Sequence, residues 1–124
     1  VEVLSGRIVV RPADMSRSLT FYRDVLGLAI AREFPGGTVF FLGSGFLELS
    51  GHASAPAGDA VALWLQVRDL TAVHAALADH VVREPREEPW GLHEMWIADP
   101  DGTRIVLVEV PATHPMRRDP RTPS

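Results

Sequence analysis

The sequence predicts an α+β protein made of two βαβββ modules in tandem, with eight strands and two main helices. Two observations carry this. Apolar runs of period two are interrupted by two stretches of helical periodicity, and the order of strand, helix and three strands occurs twice. A third observation aligns the copies: each helical stretch opens near an aspartate, Asp14 or Asp69, 55 residues apart.

In the first module "RIVVR" (7–11) alternates as a strand. "DMSRSLTFYRDVLG" then places Leu19, Tyr22, Val25 and Leu26 on one helical face, with Asp14 or Ser16 as N-cap and Gly27 as stop. "LAIAREF", "TVFFLGS" and "FLELS" follow as strands, separated by turns at Gly36–Gly37 and Gly43–Gly45.

The second module repeats the order. "AVALWLQV" (60–67) is a strand, and "DLTAVHAALADH" is a helix capped by Asp69 with Leu70, Val73 and Leu77 inward. "VVRE", "HEMWIAD" and "TRIVLVE" are the remaining strands, the last entered through the tight turn "DPDG" at 99–102. The small residues of 51–59 read as a linker between module one (4–50) and module two (60–110), the two forming one domain over 1–110. Residues 111–124 carry four prolines and few apolar side chains, so they read as a tail, either loose or lying as an arm on a neighbouring subunit.

Composition removes several chemistries. The 124 residues, 46% hydrophobic, suit one soluble domain with a real core. No run approaches the roughly 18 apolar residues of a membrane span, and no basic-then-apolar leader is present, so a cytoplasmic protein away from membranes is expected. The absence of cysteine excludes disulfides, thiol nucleophiles and thiolate metal sites, and the absence of lysine excludes side-chain Schiff bases. A net charge of −4 with scattered arginines argues against nucleic acid and mildly favours a neutral or cationic ligand. No glycine-rich loop opens a helix and no serine sits in a nucleophile elbow, so neither a phosphate-bearing cofactor nor acyl-enzyme chemistry is expected.

"RPADMSRSLTFYRDVLGL", "LQVRDLTAVHAAL", "PWG" and "DPDGTRIVLVEV", in this order over about residues 4–110, resemble the glyoxalase/bleomycin resistance/dioxygenase family, also called the vicinal oxygen chelate superfamily. The resemblance implies its paired-module fold and a homodimer with clefts formed by a first module of one chain and a second module of the other. The fold hosts isomerases, dioxygenases, fosfomycin-modifying transferases, epimerases and binding proteins, so it leaves the reaction open. In metal-dependent members, cleft-facing His, Gln or Glu from the first and last strands of each module hold a divalent ion. The matching positions here are Arg7, Glu48, Ala62 and Val106. Arginine, alanine and valine donate no lone pair, so no metal is expected; Arg7 is expected to take the ion's place and pair with Glu48.

Strand alternation then puts Val9, Arg11, Phe46 and Ser50 on the face of Arg7 and Glu48, and Trp64, Gln66, Arg104, Val106 and Val108 on the equivalent face of module two. The intervening Ile8, Val10, Leu47, Leu49, Leu63, Leu65, Ile105 and Leu107 should pack under the helices. Trp64, with Trp90 in the "PWG" loop and Trp96, forms a candidate stacking platform for a planar ligand that Arg7 and Gln66 orient. His93, after "PWGL" at the cleft rim, is the candidate acid or base among the histidines.

The leading functional reading is a metal-free protein, without cofactor, that sequesters a bulky aromatic natural product or antibiotic. Others remain open: a metal-free lyase or isomerase with Glu48 as base, Arg7 as oxyanion stabiliser and His93 in reserve; a metal-dependent enzyme with displaced ligands; a structural or regulatory dimer.

Overall fold

The computed structural model describes residues 1–117. Its elements run β1 (Ile8–Val10), α1 (Met15–Thr20), β2 (Ile30–Phe34), β3 (Gly37–Leu42), β4 (Gly45–Ser50), β5 (Ala62–Gln66), α2 (Leu70–Ala76), β6 (Val81–Glu87), β7 (His93–Ala98) and β8 (Arg104–Glu109). They form two four-stranded sheets of identical topology, β1-β4-β3-β2 and β5-β8-β7-β6, in which the first strand of each module lies parallel to its last. This is the α+β tandem expected. The chain divides into unit 1, residues 1–60 with the turn 99–103, and unit 2, residues 61–98 with 104 onward.

The repeat is visible at the caps. Asp14 has extended backbone (φ −133°, ψ 107°) and accepts from the Arg17 N–H at 3.1 Å; Asp69 (φ −140°, ψ 100°) accepts from the Ala72 N–H at 3.1 Å. Asp14, rather than Ser16, is therefore the cap. After Thr20 the helix widens into a π-helical turn, Phe21–Val25, and Gly27 at φ 75° ends it. The buried face of this segment accordingly includes Ser18 and Phe21 beside Tyr22, while Leu19, Val25 and Leu26 are half-buried.

In unit 1, Tyr22, Phe40, Leu47 and Leu49 are fully buried, with the Tyr22 and Phe40 rings 6.3 Å apart. The phenol of Tyr22 donates to Asp99 Oδ2 at 2.7 Å. Asp99 Oδ1 accepts from the N–H groups of Asp101 and Thr103, which closes the turn around the carboxylate. Burial and the Asp99 charge drive the Tyr22 pKa well above its ordinary value, so the phenol stays a donor.

In unit 2, Leu63, Met95, Ile97, Ile105 and Leu107 are buried on one face, with Leu70 and Leu77 of the α2 segment. Glu109, which shares that face by alternation, accepts from the Leu70 N–H at 2.8 Å and so pins the start of α2 to the end of β8. Strand β6 runs on past the expected "VVRE" through Pro85. It is an edge strand with register shifts on either side of Arg83, where a missing N–H is tolerated. Three expected core positions differ: Ile8, in a three-residue edge strand, is 42% exposed, and Val10 and Leu65 are half-buried.

The tail is not loose over its described part. His114 Nε2 lies 2.9 Å from the Trp90 carbonyl oxygen, and Gly91 (φ 90°) packs so close that an added Cβ would stand 3.1 Å from the imidazole. The expectation for 118–124 lies outside the described residues. Among the described residues no helix is long and apolar enough to cross a membrane.

Candidate functional site

Register settles which side chains share a face. Val9 is paired with Glu48, and Glu48 with Val39, whereas Leu47 and Leu49 point to the buried side. The face with Glu48 is the one the α1 segment leaves open. There Arg7 Nη1 donates to Glu48 Oε1 at 2.9 Å, and Ser50 Oγ donates to Glu48 Oε2 at 2.8 Å. Both carboxylate oxygens are thus engaged. The Ser50 hydroxyl and then the Arg7 guanidinium hold the Glu48 carboxyl below the usual range, against the opposing effect of burial. Around the pair stand Val9, 45% exposed, and the tilted pair Phe41 and Phe46, with ring centroids 5.6 Å apart.

This donor set does not fit a divalent ion. The Arg7 guanidinium occupies one oxygen of Glu48 and places a fixed positive charge beside the carboxylate. Ala62 and Val106, the equivalent positions of unit 2, have nothing to coordinate with. Among the described residues, no three His, Cys, Asp or Glu side chains converge.

On unit 2 the open face holds Trp64, Val106 and Trp96 in one register row, and Gln66, Val108 and Glu94 in the next. Trp64 is 45% exposed on edge strand β5. Val108 lies on this face but is capped by Leu92 and Val110, so it is fully buried and cannot line a cleft.

Trp96, expected in the stacking platform, is engaged instead by cations. The guanidinium carbons of Arg83 and Arg104, arriving from β6 and β8 on either side of β7, each lie 4.1 Å from its ring centroid. Trp90 is 58% exposed, and its indole N–H donates to the buried Glu94 Oε2 at 2.7 Å. Beneath, Arg83 bonds Glu88 and the Glu94 carbonyl, and Arg86 donates to Glu88 at 3.1 Å. Burial pushes the Glu88 carboxyl up, but the hydrogen bonds from Arg86 and Arg83 outweigh it and leave it below the usual range.

His93 is not at the rim of this face. It alternates with Met95 and Ile97 and pairs with Glu109, which puts it on the α2 side. There it borders a cavity of about 210 Å³ with Leu70, His74, Arg86 and Glu109. Strand parity with Trp96 held that answer: an odd and an even position of one strand cannot share a face. The Arg83, Glu88 and Glu94 network was missed, although Glu94 stands two residues before Trp96 and so on its face. The structure therefore places Arg7, Val9, Phe46 and Glu48 on the open face of unit 1. It places Trp64, Gln66, Trp96, Arg104 and Val106 on that of unit 2, with Trp90 in the adjoining loop.

Similarity to known proteins follows the fold. A crystal structure from Nocardioides, described as a glyoxalase/bleomycin resistance protein/dioxygenase, superposes with TM-score 0.74 at 15% identity, covering 100% of this chain and 91% of that one. A glyoxalase-related enzyme from Fulvimarina pelagi gives 0.73 at 20% identity, covering 90% and 91%. A protein of unknown function from Agrobacterium tumefaciens gives 0.73 at 22%, covering 90% and 95%. At such identities the likeness speaks for the fold alone. No curated protein matches the sequence. The sequence profile of the Glyoxalase/Bleomycin resistance protein/Dioxygenase superfamily matches residues 5–107, most of the chain and both βαβββ modules, and to that superfamily the chain belongs.

Proposed function

We propose that the protein binds a bulky aromatic small molecule, such as a natural product or antibiotic, and sequesters it without a metal and without chemical change. The observation that carries this is the state of Glu48. It is the one carboxylate at the metal-ligand positions, and both of its oxygens are taken by Arg7 and Ser50. A general base works best as an unengaged carboxylate with a pKa near the working pH; both Glu48 oxygens already accept hydrogen bonds, and its pKa is lowered further from neutrality. The same open faces offer apolar and aromatic surface, Phe41 and Val9 on unit 1 and Trp64 on unit 2, each close to half exposed.

The reading takes the protein as a cytoplasmic homodimer. Ile8 on β1 is an exposed apolar side chain on an edge strand, a surface that a second copy would cover.

The test is retention. The purified full-length protein is incubated with a panel of aromatic antibiotics and quinones, freed of unbound compound and denatured, and the released molecules are weighed by mass spectrometry. A compound released unchanged, in no more than molar equivalence to the protein, is the expected result. A compound returned with altered mass in excess of the protein would overturn the reading in favour of an enzyme.

A further inference from the structure

Arg104 differs from Arg7 and Arg83. Arg7 is neutralised by Glu48 and Arg83 by Glu88, each through a direct hydrogen bond. Arg104 has no hydrogen bond and no carboxylate partner among the described residues, although it is half-buried. Its guanidinium carbon lies over the Trp96 ring, 4.1 Å from the centroid. A stacked guanidinium keeps its N–H donors in its own plane, directed outward past the ring edge.

The acidic groups nearby on the sheet or in sequence are committed elsewhere. Glu94 is buried and accepts from Trp90. Asp99 accepts from Tyr22 and from its own turn, and Asp101 from the Ala13 N–H. The register neighbours of Arg104 are Ala62 and Ala98, which supply no acceptor and fill little space. In the next row stands Val106, flanked by Trp96 and the exposed ring of Trp64. A partly desolvated cation without a counter-ion among the described residues, set beside an apolar row, is the complement of an anionic group on an otherwise apolar molecule.

We infer that Arg104 recognises a carboxylate or comparable oxyanion on the ligand, so that the molecule bound is an aromatic acid rather than a neutral or cationic compound. The inference rests on the reading that the ligand lies on the open face of unit 2. It reverses the expectation drawn from the net charge of −4, because a sum over the surface does not decide the charge at one site, and the guanidinium groups of Arg83 and Arg104 both stand over Trp96.

The experiment compares naphthoate with its uncharged counterpart naphthamide, by calorimetric titration of the full-length protein. Wild type should bind the acid at least about tenfold more tightly than the amide, the scale of one charge-assisted pair of hydrogen bonds. Arg104→Gln should abolish that preference. Arg104→Lys, which keeps the charge but loses the planar fork, should retain part of it. Trp64→Ala should weaken both probes alike and leave their ratio intact. Equal binding of acid and amide to wild type, or a preference that survives in Arg104→Gln, would overturn the inference while leaving aromatic binding in place. Binding of neither probe would remove both readings.

Discussion

Arg7 and Glu48, 41 residues apart in sequence, meet at 2.9 Å on the open face of unit 1. At the position where the family resemblance implies a metal ligand, the chain carries Arg7, whose guanidinium pairs with Glu48. Ser50, two residues on and on the same face, takes the other oxygen. The result is a hydrogen-bonded group in which one carboxylate oxygen faces a cation and the other a hydroxyl.

The pair has a pH signature. The Glu48 carboxyl lies below the usual range, through Ser50 first and Arg7 second. A depressed native pKa contributes stability that is fully present above the unfolded-chain value, about 4.3, and is lost as pH falls through the native value. Wild type should therefore exceed Glu48→Gln in urea midpoint at neutral pH, by a margin that shrinks below about pH 4. Urea titrations across that range check this; a margin independent of pH would mean that the pair does not form.

Tyr22→Phe removes the hydrogen bond to Asp99, which is 4% exposed. The carboxylate keeps its two turn N–H donors but loses the phenol. The expected cost is about 1–3 kcal/mol of folding stability, read as a lower denaturant midpoint with an unchanged slope.

The two N-caps should behave as equivalents. Asp14→Ala and Asp69→Ala each remove one side-chain acceptor of identical geometry, and each should cost about 1 kcal/mol. The double variant should show the sum, since distant sites add to within about 0.5 kcal/mol.

Trp64 is exposed and makes no ring contact among the described residues, so Trp64→Ala should leave the melting temperature nearly unchanged. Its loss should nevertheless weaken binding of a planar ligand by roughly 1–3 kcal/mol, as deletion of a stacking surface does elsewhere. Paired thermal melts and equilibrium titrations separate the two effects.

Much of this architecture is legible in the sequence because local rules and the repeat agree. Asp14 and Asp69 mark helix starts without any tertiary information, and their spacing carries the register of one module onto the other. The structure pairs Val9 with Glu48 and Trp64 with Val106: the first strands keep the 55-residue offset, while the last strands stand 58 residues apart. Alternation likewise separates Leu47 and Leu49 from Glu48.

What the sequence conceals depends on strand pairing and on loops. The stacking of Arg83 on Trp96 follows from a register broken twice along β6, which no local rule specifies. The Trp90 to Glu94 bond and the return of His114 to Trp90 arise in a loop closed by Gly91. His93 fails for a different reason: it opens the strand expected from "HEMWIAD", and the parity of that strand, opposite to Trp96, puts it on the α2 side rather than at a cleft rim.

The most direct test of the account is the affinity of a retained aromatic compound for Glu48→Gln and wild type side by side, after dialysis of both against a chelator. A protein that only binds should keep its dissociation constant within about threefold, a change of less than 1 kcal/mol. A loss of more than about tenfold after chelation, or a product formed by wild type and absent from Glu48→Gln, would contradict it.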